Sequence, residues 1–369
     1  MFTRLVTAAF AAGLLAAPAV AEADKCLFND SHFHLTNYVQ KGIEAQDLLK
    51  LMGDRICRST IFGIPLQQMW DYNNTGTRAP TYYLHSDAPL YYYSFIDAYI
   101  ANAVKALPAE QRARLDPMII GFNPADMYAA DHIRRVLETY PGVFTGIGEF
   151  SIHKEFVSSK VAGPTASLTN PALGKLLDFA GEAGLVVILH NDADVPYAKG
   201  DQIPLEWLQM RDLLHRHPKT TIIWAHTGLG RVVKPTQLQG GDGPGGRPDN
   251  HLDFVELFLK DPKMAHVYFD ISWDEVAKYA VSSPASIART AEVFNRYPDR
   301  FLFGTDNVAP SSPEAHFKVY EMWAPVIAKL TPQAREAIFK GNYVRLFDEG
   351  RRKVRTWEAA NVQTTGAAR

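Results

Sequence analysis

The chain has 369 residues, with 38 Lys and Arg against 40 Asp and Glu and a formal net charge of -2. So balanced a composition argues against a nucleic-acid footprint, which needs a clustered basic face, and singles out no charged substrate. The length suits one large domain with a substantial core, and beyond the N-terminal segment no run approaches the ~20 apolar residues that span a bilayer.

In chain order, MFTRLVTAAFAAGLLAAPAVA comes first: one positive charge at Arg4, an Ala-rich apolar run, then Ala19-Val20-Ala21 as a small-residue cleavage signal. By its parts, 1–21 is an export signal peptide. A soluble periplasmic or secreted protein is expected, with one domain over 22–350 and a fraying tail over 351–369. Cys26 and Cys57 both lie beyond the cleavage point. In an oxidising compartment they either pair or stay buried as thiols, and geometry decides which.

Short β-rich runs then recur, most of them ending in polar residues: CLFNDSHFH at 26–34, RICRSTIFGIP at 55–65, PMIIGFNP at 117–124, GVFTGIGEF at 142–150, GLVVILHND at 184–192, TTIIWAHTG at 220–228, HVYFDIS at 266–272 and RFLFGTDN at 300–307. Helical segments alternate with them. NPALGKLLDFAGEAG opens with Asn170 as a cap and Pro171 at the first helical position, and ends at Gly184. Near-continuous apolar strands suit parallel strands covered by helices. Strand–helix units repeated in this way predict an α/β fold, a (β/α)8 TIM barrel. The competitor, a doubly wound open sheet, usually has a Gly-rich phosphate turn after its first strand, and none is present.

Two connections are long. The one after the second strand is rich in aromatics (Trp70, Tyr72, Tyr82, Tyr83, Tyr91, Tyr92, Tyr93) and is expected to fold over the barrel mouth. The other, RVVKPTQLQGGDGPGGRPDN at 231–250, is either surface decoration or a place where Arg231 and Arg247 meet an anionic group.

Residues two apart on a strand share a face, so Asp30, His32 and His34 point the same way. Toward the C-terminal rim that direction is inward, where barrel enzymes keep their chemistry. Glu149, His190, His226 and Asp306 end four further strands. Nitrogen and oxygen donors in this pattern suit a divalent metal, zinc first, with manganese, iron or cobalt as alternatives. Asp270, Ser272 and Trp273 end the seventh strand, where they either line the pocket or form an inward polar layer. Asn191 and Asp192 flank His190 and could orient it. His85, His132, His153, His215, His217, His251, His266 and His316 read as loop or helix-surface residues.

DSHFH at 30–34, the strand-ending His190, AHTG at 225–228, GTD at 304–306 and GNYVRLF at 341–347 together resemble the amidohydrolase superfamily. More narrowly, they resemble its amidohydrolase-related branch, which also holds aminocarboxymuconate-semialdehyde decarboxylase. The likeness spans nearly the whole mature chain and is specific for the superfamily, not for a substrate. It implies that His32, His34 and His190 bind metal and that Asp306 both binds it and helps activate water. His226 polarises the reacting group in single-ion members and is itself a ligand in two-ion members. Many two-ion relatives carry a carboxylated lysine on the fourth strand, where this chain has Glu149. GIGE is also similar to TatD-type deoxyribonuclease relatives, whose glutamate touches metal. Glu149 is therefore either a ligand or a hydrogen-bonding neighbour, and the ions number one or two.

The resemblance implies hydrolysis of an amide, lactone or ester of a small carbonyl compound. In it Asp306 and His226 are catalytic, and Arg58, Arg231, Tyr72 and Trp273 are candidates to select the substrate. The alternatives are metal-dependent non-oxidative decarboxylation of a small carboxylated ring, and a metal-containing binding protein without catalysis. The expected partner is a small molecule, not nucleic acid or membrane.

Overall fold

A computed structural model of the chain describes residues 26–36, 42–64, 95–153, 166–192, 205–230 and 251–362. Its strands in chain order are β1 (Phe28–Asp30), β2 (Phe33–His34), β3 (Ile56–Ile61), β4 (Leu115–Ile119), β5 (Gly146–His153), β6 (Val186–Asn191), β7 (Ile222–Trp224), β8 (Val267–Asp270), β9 (Phe301–Leu302) and β10 (Asn307–Val308). One eight-stranded sheet runs β1-β3-β4-β5-β6-β7-β8-β9, parallel throughout. β2 and β10 continue its first and last strands and pair with each other, also in parallel. The sheet therefore curls until its edges meet. The seam is bonded directly: Ser31 N–H donates to Phe303 O at 3.0 Å, and Asp306 N–H to His32 O at 2.8 Å. This is a TIM-barrel-like α/β fold.

The expected first and eighth strands are each broken in two, and one residue accounts for it. Asp30 is fully buried, and its carboxylate accepts from His32 N–H (3.1 Å), Thr305 N–H (2.8 Å) and the Thr305 hydroxyl (2.6 Å). These side-chain bonds compete with the regular ladder at that point. A β-carbon on Gly304 would stand 2.8 Å from the His32 Cβ, so the seam closes this tightly only over glycine.

Helices cover the outside as the apolar runs require. All six residues of β6, VVILHN, are buried. The helix Pro171–Ala183 begins where Asn170 Oδ1 accepts from Ala172 N–H at 2.9 Å and ends on Gly184 at φ 79°.

Two expectations are corrected at the opposite end of the barrel. Arg58 does not face the mouth. It lies near the strand starts, donating to the buried Asp116 (Nη2 2.8 Å, Nε 3.2 Å) and to Asp348 (2.5 Å). Asp116 also accepts from Arg351 at 2.6 Å and from the Tyr343 hydroxyl at 2.7 Å. A buried carboxylate needs such partners, and this one recruits the C-terminal helix. That helix, Asn342–Asn361, is the second correction: it runs on past Arg351 to Asn361 instead of fraying there, and 363–369 lie outside the described residues. Tyr343, Leu346, Phe347, Gly350, Val354 and Trp357 bury one helical face, and Arg355 caps the Phe144 carbonyl.

The cysteine question is settled in favour of pairing. Cys26 and Cys57 form a disulfide, with Cα atoms 5.5 Å apart, tying the start of β1 to β3. Among the described residues no helix is long and apolar enough to cross a membrane. The export signal, the aromatic connection with Tyr72, and the segment 231–250 with Arg231 lie outside the described residues.

The bridge closes a loop with a sequence separation of 31. Loop-entropy arguments give it about 3–4 kcal/mol. Cys26→Ser with Cys57→Ser should lower the denaturant-unfolding free energy by about that amount; a midpoint equal to the parent's would show that the bridge adds nothing.

Candidate metal centre

Six side chains converge at the C-terminal ends of the strands. His32 lies in the break between β1 and β2, His34 ends β2, and Glu149 lies within β5. His190 is near the end of β6, His226 follows β7 and Asp306 follows β9. One donor atom each from His32, Glu149, His226 and Asp306 lies within 4.8 Å of the others. His34 and His190 join through the carboxylates.

Glu149 sits between two pairs of rings. Its Oε1 is 2.5 Å from His190 Nδ1 and 3.2 Å from His226 Nε2. Its Oε2 is 3.3 Å from His34 Nε2 and 3.6 Å from His32 Nε2. Asp306 faces the same pair as Oε2, with Oδ1 3.2 Å from His34 Nε2 and 3.3 Å from His32 Nε2, and its Oδ2 is 4.0 Å from His226 Nε2.

A second layer orients these rings. Asp270 Oδ2 lies 2.9 Å from His32 Nδ1, and its Oδ1 accepts the His226 backbone N–H at 2.8 Å. Ser272 donates its hydroxyl to Asp270, and its Oγ is 2.9 Å from His226 Nδ1. Ser272 thus links Asp270 to the His226 ring and holds its Nε2 toward the centre. Asp192, 3.0 Å from His190 Nε2, orients that ring. Asn191 instead lends its carbonyl to the Trp224 indole N–H at 2.7 Å. The alternation of Asp270 and Ser272 along one strand was the available signal for this layer.

Aromatic walls flank the centre. The Phe62 ring lies 4.8 Å from His34 and 5.3 Å from His32. Trp273 lies 5.1 Å from His226. Of the four substrate candidates, Trp273 stands beside the site and Arg58 does not. Of the histidines read as surface residues, His217, His251 and His316 are in fact buried, beside Asp178, the Thr227 carbonyl and Asn307 respectively.

Electrostatics favour a cation. Burial alone would push Glu149 and Asp306 toward protonation. Instead His190, ahead of His226 and His32, draws Glu149 well below the usual carboxylate range. Asp306 is drawn down by His226, His34 and His32. Burial likewise opposes a charge on His32, yet Asp270, ahead of Glu149 and Asp306, holds its proton affinity well above the ordinary value. His34 is raised by Asp306 and Glu149. Each shift favours positive charge at one place. His32 Nε2 is buried there without a hydrogen-bond partner. Oriented imidazoles, ionised carboxylates and an unpartnered inward nitrogen fit a divalent metal.

A family model described as amidohydrolase matches residues 30–348. Among solved structures, an Agrobacterium tumefaciens protein in its apo form is 13% identical at a TM-score of 0.51, covering 88% of this chain and 96% of its own. A candidate 2-pyrone-4,6-dicarboxylic acid hydrolase from Pseudomonas putida is 16% identical at 0.48, covering 88% and 98%. A Campylobacter jejuni dihydroorotase is 12% identical at 0.49, covering 87% and 84%. At these identities the likeness is one of fold. No curated protein matches the sequence.

Because the proton affinities of His32 and His34 are raised above the ordinary imidazole range, a cation arriving near neutral pH must displace their protons. Metal affinity should therefore rise with pH through that range, and calorimetry in buffers of different ionisation enthalpy should detect released protons. Asp270→Asn should weaken metal binding about 10- to 100-fold; unchanged affinity would remove Asp270 from the orienting layer.

Proposed function

The chain belongs to the amidohydrolase family, and from that premise we propose that it is a metal-dependent hydrolase of amides, lactones or esters of small carbonyl compounds. The observation that carries this reading is the convergence of four histidines with Glu149 and Asp306 on one buried, cation-favouring point.

His32, His34 and Asp306, with Glu149 Oε2, would hold one ion. His190 and His226, with Glu149 Oε1, offer a second position. A divalent ion supplies Lewis-acid activation of water and of a substrate carbonyl. Asp306 is held ionised, so its carboxylate accepts the proton of the attacking water and returns it to the leaving group. His226, held through Nδ1 by Ser272, faces the centre through Nε2. Phe62 and Trp273 exclude water from the sides and give a flat substrate an apolar wall.

The decarboxylase alternative needs a proton delivered to carbon. His226 and Asp306 are the groups placed to deliver it, and an experiment in labelled water separates the two reactions. We also read the protein as exported, acting on a small molecule and not on nucleic acid. The Ala-rich leader and the Cys26–Cys57 bridge support that reading, since structural disulfides persist in oxidising compartments.

The test is a panel of lactones, esters and amides offered to zinc- or manganese-loaded protein in 18O-labelled water, with metal per chain measured alongside. Label in the product acid is expected. Asp306→Asn should lose about 100- to 10,000-fold in turnover. Carbon dioxide release without label would install the decarboxylase instead, and inertness of the loaded protein on both assays would favour a non-catalytic binder.

A further inference from the structure

His226 and Thr227 are consecutive non-glycine residues in the left-handed region, at φ 56° and 55°. L-residues avoid this region, and a β-branched threonine avoids it most. The turn matters because it carries the His226 ring from the end of β7 into the centre. Its first half is held by His226 N–H to Asp270 Oδ1 at 2.8 Å and, within the turn, by Leu229 N–H and the Thr227 hydroxyl to His226 O at 2.9 and 2.6 Å.

The second half is also held from outside the turn. The Thr227 carbonyl accepts from His251 Nε2 at 2.9 Å. His251 opens the helix His251–Lys260, is 3% exposed, and donates its own backbone N–H to the Tyr279 hydroxyl at 3.2 Å. A carbonyl cannot donate, so His251 Nε2 supplies the proton. The orientation of this carbonyl is set by the Thr227 ψ and the Gly228 φ, so fixing it locks the peptide plane that follows the disfavoured pair.

We propose that His251 is a positioning residue: by clamping the Thr227 carbonyl it holds the left-handed turn and so aims His226 at the metal centre. It touches none of the metal-facing donor atoms and acts only through the turn. The consequence for turnover rests on the hydrolase reading, whereas the consequence for the turn does not.

The test uses the full chain and two readouts. His251→Gln keeps an N–H donor at the reach of Nε2, His251→Asn shortens it, and His251→Leu removes it. Backbone amide exchange across 225–229 should be about tenfold faster in the Leu and Asn variants and parent-like in Gln. On whichever panel substrate the parent turns over, Leu and Asn should lower kcat about tenfold to a hundredfold with KM little changed, and Gln should restore it. Adding Thr227→Gly to His251→Leu should recover much of the loss, because glycine adopts the left-handed conformation without the clamp. Parent-like exchange in the Asn variant, or a Gln variant as impaired as Asn, would overturn the proposal. If the Leu variant does not fold, the Gln–Asn pair decides alone. A parent inert on every substrate defeats the hydrolase reading and leaves the exchange comparison intact.

Discussion

The bond from the Asp306 amide to the His32 carbonyl, 2.8 Å across the barrel seam, is the constraint on which the site depends. It joins residues distant in sequence and sets the two histidines of the first strand against the aspartate of the last. Without closure, His32 and His34 have no carboxylate opposite them on that side. The same seam uses Asp30 and Thr305 to break both strands where the metal-facing side chains begin, so regular pairing gives way to site geometry at a defined level.

The second organising fact is an excess of need for positive charge. Asp270 is buried, Glu149 and Asp306 are half-buried beside it, and all three are held ionised against desolvation. In the protein alone, that charge is balanced by protonating neighbouring imidazoles. Buried ion pairs of this sort recover their desolvation cost poorly. A divalent ion meets the same demand through donors that are already aimed, so affinity and orientation come from one arrangement.

Much of this was legible in the residues. Polar groups ending successive apolar strands announced both the barrel and the rim, because a strand's side-chain period is two and a parallel sheet aligns its ends. The Asn170–Pro171 start and Gly184 stop were readable because caps are local chemistry. Other features depended on distances along the chain that no local pattern encodes. Arg58 opens the polar stretch Arg58-Ser59-Thr60 of β3 and looked available, but Asp116, Tyr343 and Asp348 claim it from elsewhere in the sequence. His251 stood among polar neighbours and read as surface, yet its role is set by a carbonyl in another turn. The stretch after Arg351 read as a fraying tail because its charges masked an apolar face that continues through Val354 and Trp357.

The Asp116 cluster and the histidine centre occupy opposite ends of one barrel. The charges that secure the floor share no residue with the groups that face a substrate. Divergence at the rim can therefore proceed without disturbing the anchorage of the C-terminal helix, and a lineage built on this scaffold can retool what it acts upon while inheriting its foundation unchanged.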